Sequence, residues 1–182
     1  IANQAKIAKG TVYLYFSSKE TIFLTLLERH IHNWLLDCDK GIRQYESPSV
    51  DDILGYLLNY WQAHPQFGQL FRICDAVLEP NVEDKLYSEF HTRTQNEIKR
   101  LAPALQTIND EVTAHDWNQL VYQSLHLVGL AWQLSHPQHK VLEPESFQDQ
   151  ATNLLRPFWS ELLNKKVAVE KPKSAWRKLL GS

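Results

Sequence analysis

Ile1-Ala2-Asn3-Gln4-Ala5-Lys6-Ile7-Ala8-Lys9-Gly10-Thr11-Val12-Tyr13-Leu14-Tyr15-Phe16-Ser17-Ser18-Lys19-Glu20 is the stretch on which the reading of this chain turns. Its small and apolar residues fall at helix-turn-helix positions. Ile1, Ala2 and Ala5 make one short helical face, Ile7 plugs the turn, and Val12 and Phe16 face back from a second helix. Local propensity points elsewhere: Thr11 to Phe16 is an unbroken run of β-branched, aromatic and leucine residues, which alone reads as a strand. The flanks decide. Ser17-Ser18-Lys19-Glu20 offers Ser17 as an N-cap with Glu20 three residues on, a capping box that opens a helix. Beyond it Ile22, Phe23, Leu26, Leu27, His30, Ile31, Trp34 and Leu35 recur at helical spacing, to about Tyr45 before Ser47-Pro48. At ~1.5 Å per residue, that helix is on the order of 40 Å long and can join two domains.

The rest of the chain continues the helical pattern, so the fold class is all-α. A helix is predicted from about Val50 to Ala63, with Ile53, Leu54, Leu57, Leu58 and Trp61 on one face. His64-Pro65 ends it, and Pro65 suits the first turn of the next helix, which presents Phe67, Leu70, Phe71, Cys74 and Leu78 before Pro80. Another spans about Val82 to Leu101 and stops near Pro103, followed by a looser stretch from Thr107 to His115. Two more close the body. Asp116 to Ser135 is apolar over most of its circumference, and Ser146 to Asn164 carries Phe147, Leu154, Leu155, Phe158, Trp159, Leu162 and Leu163. A helix apolar on several faces must bury several faces, and an oligomer interface does so economically. From Lys165 the sequence reads as a basic tail.

Composition narrows the function. With 182 residues the chain buries enough surface to need neither metal nor disulfide, and Cys38 and Cys74 are too few and too far apart for either. Reduced thiols and a cytoplasmic location follow. No apolar run reaches the ~20 residues that span a bilayer. Charge is uneven. Residues 1–31 carry four basic and two acidic side chains, residues 32–164 nine and eighteen, and the tail six and one. A basic end on an acidic body suits a protein that meets phosphates at one end, although ordinary surface charge reads the same way. The eight histidines include His30-x-His32 and His136-x-x-His139, but no His-Glu-x-x-His, phosphate loop or nucleophile elbow appears. No catalytic residue, metal ligand or cofactor is expected.

Gly10-Thr11-Val12-Tyr13-x-Tyr15-Phe16-x-Ser18-Lys19-Glu20 closely resembles the recognition-helix signature of the tetracycline-repressor (TetR) family, and Ile1-Ala2-x-x-Ala5 the end of their second helix. The resemblance is specific over these residues and rests on helix pattern alone afterwards. It implies a helix-turn-helix domain with its connecting helix at 1–45, an effector-binding and dimerisation domain at 46–164, and further helices upstream of Ile1. One position departs: Lys6 stands where the turn usually carries glycine, at a cost on the order of 1 kcal/mol or in exchange for a phosphate contact. The resemblance implies that Lys9, Gly10, Thr11, Tyr13, Tyr15 and Lys19 meet operator DNA. Lys9 and Thr11 would face bases or phosphates, Gly10 would allow close approach, and Tyr13 and Tyr15 would offer hydroxyls or ring edges. Lys19 would clamp a phosphate at the start of the long helix.

It also implies a homodimer, built on the last two helices, whose operator binding a small apolar or aromatic effector relieves. The effector would sit among Tyr60, His64, Phe67, Phe71, Cys74, Phe90, Thr94, Tyr122 and His126. The same aromatic stripe also reads as plain core, His64 as a helix end, and His126 as a core histidine. A helical ligand- or partner-binding module without DNA binding is the alternative function.

Overall fold

Short polar side chains set where the helices begin. The structure, a computed structural model, describes residues 8–137 and 145–165, and of Lys9, Val12 and Tyr13 the backbone alone. Among these residues there are helices and no strand. The run that reads locally as a strand is helix α1 (Lys9–Tyr15). Helix α2 (Lys19–Ile42) starts one residue later than the sequence predicts. Ser18, with extended backbone (φ −149°, ψ 169°), is the cap, and its hydroxyl accepts the Thr21 amide at 3.1 Å. Ser17 is therefore not the cap, and Glu20 closes no capping box; its carboxylate lies 3.5 Å from Lys19 Nζ. Helix α3 (Val50–Ala63) does open on a capping box: Ser49 Oγ accepts the Asp52 amide at 3.2 Å, and the Ser49 amide donates to Asp52 Oδ2 at 2.9 Å.

Proline breaks the middle of the chain into pieces. Pro65 opens α4 (Pro65–Ile73) at its first turn. Sequence periodicity carries this helix on to Pro80, but from Cys74 to Leu78 the chain widens into a π-helical turn, then tightens into a 3₁₀ turn over Glu79–Asn81. Pro80 has no amide to give and its ring crowds the carbonyl one turn back, which disfavours a continued α register at this point. Helix α5 (Asp84–Lys99) is shorter than expected at both ends. Pro103 does not simply end it; it sits in the first turn of the short α6 (Ala102–Gln106). The Thr113 and Ser146 hydroxyls cap α7 (Ala114–Ser135) and α8 (Phe147–Leu163), the latter holding Pro157 in its interior.

These helices enclose one core in which Trp34, Trp61, Trp117 and Trp159 are fully buried. Two indole N–H groups are satisfied inside it: Trp34 donates to Leu57 O at 2.9 Å, and Trp159 to Ser124 Oγ at 3.0 Å. Helix α4 lies unusually close to α7, and glycine makes this possible. A Cβ at Gly68 would stand 2.1 Å from the Trp132 indole, and one at Gly129 2.2 Å from the Phe71 ring. Helix α2 is held to α5 by polar ties, with Arg93 on Glu28 and His32 Nδ1 2.9 Å from Glu97. With α7 packed on α8, Leu130 and Leu134 of α7 and Phe158 of α8 remain 44%, 53% and 45% exposed.

Candidate functional site

The basic end and the core each present a candidate site, and α2 runs between them. At the basic end, α1 begins at Lys9, and the Thr11 amide donates to Ala8 O at 3.0 Å. Gly10 and Thr11 are exposed, and nothing lies within 4 Å of where a Gly10 Cβ would stand. Tyr15 is 79% exposed, as is the neighbouring Leu14 at 82%. Phe16 is half-buried at the junction with α2. Lys19 projects from the first turn of α2 with 73% of its side chain exposed. Six candidate contact positions thus share seven helical residues and the next helix start. The backbone of Lys9 and Tyr13 belongs to α1; their side chains, and all of Ile1 to Ile7 including Lys6, lie outside the described residues, as does the tail after Lys165.

In the body, four helices and the π-turn surround a small cavity. Leu27 and Ile31 come from α2, Phe71 from α4, and Cys74 and Asp75 from the π-turn. Tyr87, Phe90, His91 and Thr94 come from α5, and Tyr122, Leu125 and His126 from α7. It leaves about 30 Å³ open to water centres, room for one or two waters. A drug-sized ligand pocket measures about 300–1,000 Å³, so side chains fill this one. Of the predicted pocket residues, Phe71, Cys74, Phe90, Thr94, Tyr122 and His126 come together here.

Tyr60, His64 and Phe67 do not. They form a separate cluster around His30 of α2: His30 Nδ1 is 3.1 Å from Tyr60 Oη, and the His30 and Phe67 rings stack at 5.5 Å. The Tyr60 and His64 rings lie 4.2 Å apart, and Trp61 covers Phe67 at 4.0 Å. The first group gathers around the His64-Pro65 break, where α3 ends and α4 begins. Helix α4 starts afresh there, so one face of it carries Phe67 toward Trp61 and His30, and Phe71, one turn later, reaches the cavity wall. The sequence also points to Tyr87 only as one of the aromatics of this region, and to none of Leu27, Ile31, Asp75, His91 and Leu125. Helical spacing held the signal: Tyr87, Phe90, His91 and Thr94 are i, i+3, i+4 and i+7, and Tyr122, Leu125 and His126 repeat the pattern.

Burial governs the chemistry of the cavity walls. It pushes the Cys74 thiol up to about 11 against a weak Tyr87 hydrogen bond, and Asp75 and Glu79 push in the same direction. The Tyr87 hydroxyl is driven higher still, mainly by burial. His126 is lowered by loss of water, although Asp75 draws it back. Burial thus keeps the Cys74 thiol and the Tyr87 hydroxyl protonated at neutral pH. Among the described residues, no three His, Cys, Asp or Glu side chains gather as a metal ion requires, and no helix is long and apolar enough to cross a membrane.

Two family models match the chain. One, described as bacterial regulatory proteins, tetR family, matches residues 1–26; the other, tetracyclin repressor-like, C-terminal domain, matches residues 28–158. No curated protein matches it.

Proposed function

The chain belongs to the tetR family of bacterial regulatory proteins, and from that premise we propose a homodimeric repressor that a small apolar or aromatic effector releases from its operator. Family membership makes it a helix-turn-helix transcriptional regulator; the repressor sense, the effector and the residues below are our reading. Lys9, Gly10, Thr11, Tyr13, Tyr15 and Lys19 meet the operator, and residues 46–164 sense the effector through Phe71, Cys74, Phe90, Thr94, Tyr122 and His126, joined by Tyr87. One observation carries this reading: α2 serves both sites. Ser18 and Lys19 start it beside the exposed α1, and Leu27 and Ile31, two to three turns on, are cavity walls. An effector that spreads α5 and α7 pushes on the rod that carries α1.

The dimer forms through α7 and α8, whose exposed Leu130, Leu134 and Phe158 meet their counterparts. It sets two recognition helices about 34–36 Å apart, or a multiple, on a pseudo-palindromic site. Effector binding changes that separation, and affinity falls because both helices no longer fit together.

Fluorescence anisotropy of the full chain with DNA from upstream of its own coding region tests the reading. Binding is expected to weaken steeply with salt, and Lys19→Ala to flatten the salt slope by about 0.9, one phosphate contact. Tyr15→Ala should weaken binding on the cognate site more than on random DNA if its ring edge meets a base. Absence of binding at every salt concentration would leave a helical ligand-binding module in place of a repressor.

A further inference from the structure

The walls of the α2–α4–α5–α7 cavity have one sign of charge and an unused hydrogen-bonding group. Asp75 is the carboxylate among them, and no lysine or arginine is present. A second carboxylate stands just behind, where Tyr87 Oη donates to Glu79 Oε2 at 3.4 Å. Asp75 and Glu79 are the charged groups that act on both Cys74 and Tyr87. Around them stand Phe71, Tyr87, Phe90 and Tyr122, with His126 edge-on to Phe71 at 5.6 Å and to Tyr122 at 4.7 Å. Ring faces attract cations, and carboxylates at the same mouth reinforce that preference.

Thr94 supplies an independent observation. A mid-helix threonine ordinarily returns its hydroxyl to the carbonyl one turn back, as Thr92 does to Ser88 O at 2.9 Å. Thr94, a cavity wall only 4% exposed, does not, and its Oγ1 has no hydrogen-bond partner among the described residues. A buried polar atom left unpaired is costly, so it marks a place where a ligand atom completes the hydrogen bonding.

We infer that the effector is a small lipophilic ammonium ion, its ring held among Phe71, Phe90 and Tyr122 and its N–H groups directed to Thr94 Oγ1 and the Asp75 carboxylate. The inference rests on the reading of this cavity as the effector site. Its small volume sets the size: a single ring must part the walls, and the π-turn bearing Asp75 is the wall with non-helical spacing to give. Anions are opposed by Asp75 and Glu79, and a neutral ligand gains no charge attraction from either.

Calorimetric titration of the full chain with three matched probes tests this: 2-phenylethylammonium, 2-phenylethanol and phenylacetate. The ammonium should bind at least about fivefold tighter than the alcohol, from ring and carboxylate attraction together, and phenylacetate weakest. Asp75→Asn, at an exposed side chain, should keep the melting temperature and lower ammonium affinity about threefold to fivefold without touching the alcohol. Thr94→Val, which keeps the shape, should weaken both the ammonium and the alcohol. Equal binding of alcohol and ammonium, or an unchanged ratio in Asp75→Asn, would overturn the cationic class; the effector cavity would still stand provided Thr94→Val weakens the alcohol. Binding indifferent to Thr94→Val, or no binding by any probe at millimolar concentration, would remove both the class and the cavity as the effector site.

Discussion

Ser124 shows how much one hydroxyl does in this core. It donates to Leu120 O at 2.7 Å and accepts the Trp159 indole N–H at 3.0 Å, wholly buried between α7 and α8. Ser124→Ala keeps the volume nearly unchanged but strands the indole donor, and should cost about 1–3 kcal/mol in urea unfolding. Gly129→Ala acts by the opposite route, forcing a methyl into Phe71; overpacking of this kind costs about 1–3 kcal/mol and displaces a cavity wall. His30 gives the molecule a pH dependence. Burial, His64 and Arg29 hold it below the ordinary histidine value in the folded state. The unfolded chain therefore takes up the proton first, and stability is lost as pH falls through the ordinary histidine range toward the folded value. Thermal melts between pH 7.5 and 5 should show this fall, and His30→Gln should reduce it, leaving the share that His126 contributes in the same direction; an unchanged slope would assign it to other groups. None of these roles was legible in the sequence, because each depends on a neighbour dozens of residues away.

Elements were legible in proportion to how local their causes are. Helix α3 appears where Ile53, Leu54, Leu57 and Leu58 place it, since its cap, its apolar face and the His64-Pro65 stop are all contiguous. Helix α1 is the reverse case. Its own residues favour a strand, and only the flanks argue for the helix that forms. The α2 cap was missed by one residue because Ser17 and Ser18 both bring a hydroxyl near Thr21 Oγ1, at 3.2 and 3.1 Å, and backbone conformation alone chooses between them. Ser18→Ala should therefore cost about 1 kcal/mol, and Ser17→Ala much less, in matched thermal melts. The π-turn was invisible for another reason: periodicity assumes a constant number of residues per turn. For the cavity, the sequence supplied one or two residues each on α4, α5 and α7 and none on α2, and the packing of α2 and α7 against α5 supplied the rest.

At the scale of the whole molecule, the proposed dimer contact rests on three exposed apolar side chains of α7 and α8. Leu130 and Leu134 lie about one turn apart on α7, and Phe158 stands on the helix packed against it. Leu134→Glu should give a monomer by sedimentation while sparing the melting temperature of the monomer, since that side chain is already 53% exposed. Operator affinity should fall with it, because a single recognition helix grips one half-site. A dimer that survives both Leu134→Glu and Phe158→Asp would place the interface elsewhere.

A final consequence belongs to α2, the 24-residue rod with a cavity wall near its middle and α1 at its start. If the proposed effector and the operator are coupled through this helix, that coupling acts in both directions. Whatever factor the effector takes from operator affinity, saturating operator must take from effector affinity, since the thermodynamic cycle closes. Titrating the effector in the presence and absence of DNA should give that same factor, so the promoter is as much a regulator of small-molecule capture as the small molecule is of the promoter.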